Sequence, residues 1–540
     1  MALTASTAGD TIQLFNNSTA VVSANTILGL NGNDIINLGA EGHTASASAY
    51  VSGTLIQSGV FSTAVTGRYD LSASLRGADV TYSAHVSGAI YASGALSSFA
   101  TGVSVGGVVT SENAVRRISQ SQIFGNQDND SIAFGSEIAS ISASTIGGGA
   151  GNDVIGTYSY VNQVWTGAQI SAAAGFINNS LIEGGGGNDV IKIDTTGSIT
   201  TATIQGAAGN DAIFIDAIAF EAAQMLGGGD SDFLTGAINT LSGSTIAGGG
   251  GNDYLVISAG TGGKTLIAGD VFNSSDSVYD GNDTIIFGAS ITASSVSVQG
   301  GGGNDSIVFS ALGASSYLAG NLGNDTIFIL TAFSASTVYG GAGNDSILIS
   351  GNVLGSFIYG GGDKDTINFA GDVGVSASYS GSTVYGGLGA DLFVASAMTV
   401  ATTLGVTFGY SAYADSTISA MDSIAIGSTA ISGAYVLDFV PAGLTLGSFS
   451  GSQAGIATGT NGIVTFTSTF DGDVSARYSV INTDMTTVGA TVVFKDGSNV
   501  NYLFIQGGTS DDLIAQVGVT ASGVAAISIV ATRQITIDTV

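Results

Sequence analysis

The sequence predicts an all-β protein: a parallel β-helix or β-roll solenoid of coils about 20 residues long, with an inserted β module and a C-terminal β-domain. Three observations predict it. The segment Gly300-Gly301-Gly302-Gly303-Asn304-Asp305-Ser306-Ile307-Val308-Phe309 returns lightly varied, and the turns closing at Asp325, Asp345 and Asp365 follow it at intervals of 20 residues. Apolar residues hold fixed places around most turns, seven before the closing aspartate and two and four after it. The composition also fits a narrow stacked core: 83 glycines, one proline, 44% hydrophobic residues and only 9% charged.

Along the chain, the first 40 residues hold one such turn, closing at Asp34, and read as an N-terminal β coil and assembly segment. Residues 41–115 carry no such turn. They alternate small and apolar residues, as in Ala45-Ser46-Ala47-Ser48-Ala49-Tyr50-Val51, which predicts an inserted β module, with calcium-free coils as the alternative. The solenoid proper spans 116–400, with closing aspartates Asp130, Asp153, Asp189, Asp211, Asp232, Asp253, Asp283, Asp305, Asp325, Asp345, Asp365 and Asp391. From Asp189 the steps are 22, 21, 21, 30, 22, 20, 20, 20 and 26, so the longer coils carry insertions. Met421-Asp422-Ser423-Ile424 is a weaker echo.

Within a coil, Ile182, Ile204, Leu318 or Val338 precedes the turn, and pairs such as Ile191 and Ile193 or Ile327 and Ile329 follow it. A spacing of two puts such a pair on one face of a strand. Strand, glycine turn, strand and an Ala/Ser/Thr return then close one coil. Stacked at the usual strand spacing, the coils from Asp130 to Asp391 would make a rod about 55–60 Å long. Beyond residue 400 the repeats give way to β-branched and aromatic runs such as Thr491-Val492-Val493-Phe494, which predict a C-terminal β-domain over 401–540. No stretch carries an amphipathic helical period.

Ten basic against 40 acidic residues give a formal charge of −30. Such a chain repels nucleic acid and anionic membranes and attracts divalent cations. Cysteine is absent, which excludes disulfides and thiolate metal sites. No run of 18 apolar residues occurs, so no membrane span is expected, and Met1-Ala2-Leu3-Thr4 does not open a cleavable secretory signal.

The turns supply oxygen. Glycine allows a tight bend whose carbonyls converge, and a hard cation such as calcium takes six to eight carbonyl and carboxylate oxygens. One aspartate per turn is too few, but stacked coils can share an ion. Gly-Asn-Asp is also a good turn sequence in its own right, yet turn propensity alone would accept Ser, Asn or Gly at the last place, where every turn has aspartate.

Here the chain resembles the RTX (repeats-in-toxin) family of haemolysin-type calcium-binding proteins, through the G-G-x-G-N-D turns over about 116–400 and the outlying copy at Gly29 to Asp34. The resemblance implies that turn carbonyls and closing aspartates hold calcium, on the order of ten ions, and that calcium drives folding after export. It makes ligands of the thirteen aspartates named above and adds Asp230 and Asp363. It also implicates turn residues such as Asn188, Asn252, Asn304, Asn324, Asn344, Gly300, Gly302, Gly340 and Ala342. Family β-rolls usually place two nonapeptides in each shorter coil; with one turn per coil, a single row of ions is expected. Lys364 and Ala390 stand where asparagine is usual. The ending Ile537-Asp538-Thr539-Val540 is similar to the acidic-then-apolar tails of type I secretion substrates, which implies an extracellular protein without a cleaved leader.

Catalytic signals are weak. Gly102-Val103-Ser104-Val105-Gly106 matches a nucleophile elbow, but a chain so rich in glycine and serine produces that pattern by chance. The two histidines, His43 and His85, precede the serine, against the hydrolase order, and no H-E-x-x-H occurs. The expectation is a non-enzymatic, secreted, self-assembling cell-surface protein, similar to RTX surface-layer subunits; a filament or matrix subunit, or an adhesin, is the alternative. Its expected partner is itself, head to tail through residues 1–40 and the region beyond 400, with cell-surface polysaccharide or lipopolysaccharide as a further candidate.

Overall fold

The computed structural model describes short strand segments between residues 2 and 87, then 115–119, 122–133, 140–156, 158–161, 164–167, 175–270, 281–288, 295–310, 313–369, 381–395 and 406–426. Separate pieces of 435–539 complete it. The chain divides into two compact units, Met1–Ala293 and Ser294–Val540.

In the first unit each coil lays one strand before its glycine turn and one after it, and both pair in parallel with their counterparts in the next coil. Before the turn, Ile123, Ile146, Ile182, Ile204, Met225, Ile246 and Ile267 stand in register. After it, Ile155, Ile191, Ile213, Leu234, Leu255 and Ile285 form the facing row. All of these side chains are fully buried. The alternation seen in the sequence is the cause: in Val190-Ile191-Lys192-Ile193 every second residue turns inward, and the polar partner faces out. Each buried isoleucine contributes about 1.5–3 kcal/mol, and stacking makes the contribution continuous along the coils.

Residues 49–57, which the sequence reading assigns to the inserted module, supply strands in register with the coils. Ala49–Ser52 pairs in parallel with Val21–Ser23 and Val115–Ser119. Leu55–Gln57 pairs with Thr26–Leu28 and Gln122–Gln127. The later part of that region contributes an antiparallel pair, Arg68–Ala73 with Tyr82–Ser87. A second antiparallel hairpin, Tyr158–Val161 with Val164–Gly167, occupies the insertion between Asp153 and Asp189.

In the second unit the same two rows recur. Val298, Leu318, Val338, Ile358, Val384 and Phe408 stack before the turns. Ile307, Ile327, Ile347, Ile367, Phe393 and Ile424 stack after them. The rows run past residue 400: Val406–Tyr410 and Tyr435–Phe439 extend the first, and Asp422–Ile426 and Leu513–Gly518 extend the second. Antiparallel strands then finish the unit. Gln534–Thr539 pairs with Tyr435–Phe439 and Val524–Ala531, and Asn501–Ile505 lies between Ala490–Lys495 and Leu513–Gly518. The coil edge therefore leads into a β cap.

The sequence predicts no helix, but Val474–Asp484 forms one. Asp473 caps it, accepting from the Ala476 N–H at 2.9 Å. Ile481 packs into a cluster with Val464, Met485, Val492, Phe494 and Phe504. Its apolar residues Val474, Ala476, Tyr478 and Val480 fall on every second position, the period of a strand, so tertiary packing decides the structure here.

A ladder of buried carboxylates

The glycine turns stack so that each closing aspartate lies beneath the same residue of the next coil. None of Asp130, Asp153, Asp189, Asp211, Asp232, Asp253, Asp283, Asp305, Asp325, Asp345, Asp365 and Asp391 is more than 3% exposed. In the first unit the N–H of each aspartate donates to Oδ1 of the next at 2.7 Å, from Asp130 through Asp153, Asp189, Asp211, Asp232 and Asp253 to Asp283. In the second unit the chain runs Asp305, Asp325, Asp345, Asp365 and Asp391 at 2.8 Å, then reaches Asp422 at 2.9 Å.

The preceding asparagine makes the opposite link. Oδ1 of Asn188 accepts from the Asn210 N–H at 2.9 Å, and Oδ1 of Asn252 from the Asn282 N–H at 2.6 Å. Asn304, Asn324 and Asn344 accept from the N–H groups of Asn324, Asn344 and Lys364 at 2.6, 2.7 and 3.0 Å. Successive N–H groups of an extended chain point to opposite sides, so Asn-Asp staples each coil to both neighbours. Lys364 keeps its backbone part in this exposed row.

The second carboxylate oxygen is placed differently. Oδ2 of Asp153, Asp189, Asp211, Asp232, Asp253, Asp325, Asp345, Asp365 and Asp391 is buried without a hydrogen-bond partner. Each packs against the glycine five residues earlier. A Cβ on Gly320 would fall 2.1 Å from Oδ2 of Asp325 and 2.5 Å from the Gly340 carbonyl oxygen. The same two oxygens meet Gly340, from Asp345 at 2.5 Å and Gly360 at 2.4 Å, and Gly300, from Asp305 at 2.1 Å and Gly320 at 2.6 Å. The glycine is thus required by space, and at Gly300, Gly320 and Gly340 carbonyl and carboxylate oxygens converge. Ala342 turns its carbonyl to the Gly323 N–H at 2.8 Å.

Burial without a counter-charge pushes these carboxyls far above the ordinary 3.8: to about 6 at Asp189, about 7 at Asp325, about 8 at Asp365 and about 9 at Asp253. Desolvation is the main cause, and at Asp253 and Asp365 the neighbouring rungs add repulsion. The backbone hydrogen bond alone does not explain aspartate, because a neutral asparagine would accept it equally well. The charge needs either a proton or a cation. Among the described residues no group of three or more His, Cys, Asp or Glu side chains gathers as a metal cage. A cation at these turns would therefore draw on carbonyls with one carboxylate per coil, and the donor set, all hard oxygen, fits calcium.

Asp34 and Ser104 lie outside the described residues. The sequence reading treats Asp422 only as an echo, yet it is the last rung. No glycine turn precedes it; instead Ser416 Oγ accepts from its N–H at 2.9 Å, in place of a further aspartate. A second polar row was missed altogether. At the return corner, Oγ of Ser336, Ser356 and Ser382 accepts from the N–H of Ser316, Ser336 and Ser356 at 3.0 to 3.2 Å. Its only sequence signal is a serine nine before the closing aspartate, lost among many other serines.

No curated protein matches the chain. The family profile of the RTX calcium-binding nonapeptide repeat (4 copies) matches residues 23–41, 176–192 and 334–348. These ranges include the turns closing at Asp34, Asp189 and Asp345, and within each unit the stacked coils next to Asp189 and Asp345 repeat the turn. Over these three stretches the chain carries RTX calcium-binding nonapeptide repeats.

Proposed function

We propose that this is a secreted, calcium-dependent structural protein that assembles on itself at a bacterial cell surface, as a surface-layer subunit. The observation that carries the reading is the row of buried carboxylates, nine of which, from Asp153 to Asp391, have one oxygen lacking a donor. A row of this kind makes the stacked coils conditional on a cation, and a secreted chain meets millimolar calcium only outside the cell. The ligands would be the closing aspartates, Asp34 included, with Asp230, Asp363 and turn carbonyls such as those of Gly300, Gly302 and Gly340. Calcium supplies charge neutralisation and extra coordination to oxygens that otherwise repel one another. The chain's own part is to fold the turns, hold the carboxylates in line through the Asn-Asp staples and exclude water from the rung.

A formal charge of −30 also keeps copies apart until calcium neutralises part of it, so folding and association share one trigger. Electron microscopy of the purified full chain, with calcium and with chelator, tests the proposal. Ordered two-dimensional arrays that dissolve in chelator are expected. Calcium-dependent fibres would favour the filament alternative instead, and dispersed monomers at millimolar calcium would refute self-assembly.

A further inference from the structure

Most of the turns place glycine two residues before the closing aspartate, with φ between 91° and 138° at Gly187, Gly209, Gly251, Gly303, Gly323, Gly343 and Gly389. Aspartate stands there instead at Asp128, before Asp130, and at two turns whose closing Oδ2 is buried without a hydrogen-bond partner: Asp230, before Asp232, and Asp363, before Asp365. Both adopt a left-handed backbone, φ 68° and 69°, which non-glycine residues seldom hold without compensation. Asp128 shares the conformation in the turn closing at Asp130.

Both side chains are exposed on the solvent side of their turn, while Oδ2 of Asp232 and Asp365 is buried, has no hydrogen-bond partner and faces back into it. A Cβ on Gly360, which opens the Asp363 turn, would fall 2.4 Å from Oδ2 of Asp365; on Gly227 it would fall 2.2 Å from Oδ2 of Asp232. The charge of Asp363 acts on Asp345 of the preceding coil as well as on Asp365, and that of Asp230 on both Asp211 and Asp232. Each extra carboxylate thus adds charge where two coils meet.

From this placement we infer that the turns carrying Asp230 and Asp363 are the tight calcium sites of the solenoid, one in each compact unit, filled before the ordinary Gly-Asn-Asp turns. The inference rests on the calcium reading above and grades its sites. Affinity of an all-oxygen calcium site rises with the number of anionic ligands, and a second carboxylate is expected to tighten a turn about ten-fold or more. Binding the ion would compensate the cost of holding aspartate in a backbone that glycine adopts freely. Each unit would then hold its first ion near mid-stack and extend its ordered coils outward from that rung as calcium rises.

Equilibrium dialysis with radioactive calcium on the full-length chain separates the outcomes. Wild type should show at least two affinity classes. The double variant Asp230→Asn/Asp363→Asn should lose two ions from the tight class while the weaker class keeps its midpoint. Asparagine tolerates the left-handed backbone. The companion Asp230→Gly/Asp363→Gly, which restores the glycine of the other turns, should do the same, with wild-type circular dichroism at saturating calcium. A single affinity class in wild type, or an unchanged tight class in both double variants, overturns the grading and leaves the calcium reading standing. No bound calcium at all overturns both.

Discussion

Lowering the pH of the calcium-free protein should do part of calcium's work. Asp325 is raised from 3.8 to about 7 by burial, and in the unfolded chain it returns to its ordinary range. Between those limits the folded coil holds a proton that the unfolded chain has released. Stability from this group is therefore fully present below about pH 4 and is lost as pH rises toward 7. Three pH units correspond to about 4 kcal/mol at one rung, against a total domain stability of about 5–15 kcal/mol. Two rungs that both lose their protons repel, so the ladder should titrate as a unit. Asp232 and Asp365, raised to about 8, and Asp253, raised to about 9, place the upper end of the window near pH 8–9. The assay is far-ultraviolet circular dichroism in chelator from pH 5 to 9, repeated in millimolar calcium. The β signal in chelator should be strongest at pH 5 and fall steadily above it, while in calcium it should stay level at neutral pH. A calcium-free signal that is flat over this range, or that grows with pH, would refute the claim that unneutralised buried carboxylates are what calcium answers.

Substitutions at single rungs divide the two tasks of the aspartate. Asp325→Asn keeps an acceptor for the Asp305 N–H, now 2.8 Å from Oδ1, and removes the charge. It should stabilise the chelated protein at pH 7.5 while lowering the calcium stoichiometry, both measurable in one titration. Asp325→Ala also abandons that N–H and should raise the calcium midpoint for folding instead. Gly320→Ala drives a methyl to 2.1 Å from Oδ2 of Asp325 and should cost about 1–3 kcal/mol or more in denaturant melts; Gly362→Ala, which meets nothing within 4 Å, should cost far less. Ile327→Ala opens the row between Ile307 and Ile347 and should cost about 2–5 kcal/mol at saturating calcium, with unchanged calcium stoichiometry.

How much of this was legible depended on whether a residue's role repeats. The apolar places seven before and two and four after the closing aspartate are the buried rows, because stacking repeats one environment in every coil and so writes a period into the chain. The same holds for the glycine that meets Oδ2, which no other residue can replace. Asp422 closes a rung without a glycine turn, since the partner beyond it is a serine hydroxyl and the antiparallel cap begins. Helix Val474–Asp484 occurs once and has no period to announce it. Residues 49–57 join the stack through strands that lack the turn signature altogether, so the register, and not the motif, places them in it.

The aspartate at the end of each turn carries two separable demands. A rung needs an acceptor for the N–H of the preceding coil, and asparagine, serine or threonine could supply one; the serine corner does so, with Ser336 accepting at 3.0 Å. That corner shows that a polar ladder can be built here without charge. Choosing a charged group at the glycine corner leaves an oxygen that no backbone donor reaches, and makes the folded coil unfavourable at neutral pH until a cation arrives. The neutral corner can align the coils without charge, and on the calcium reading the charged corner would decide in which medium they fold. A chain with Asp→Asn at every closing position should therefore fold without calcium and no longer distinguish the inside of a cell from the outside. If such a chain still required calcium, the switch would have to lie in groups other than this ladder.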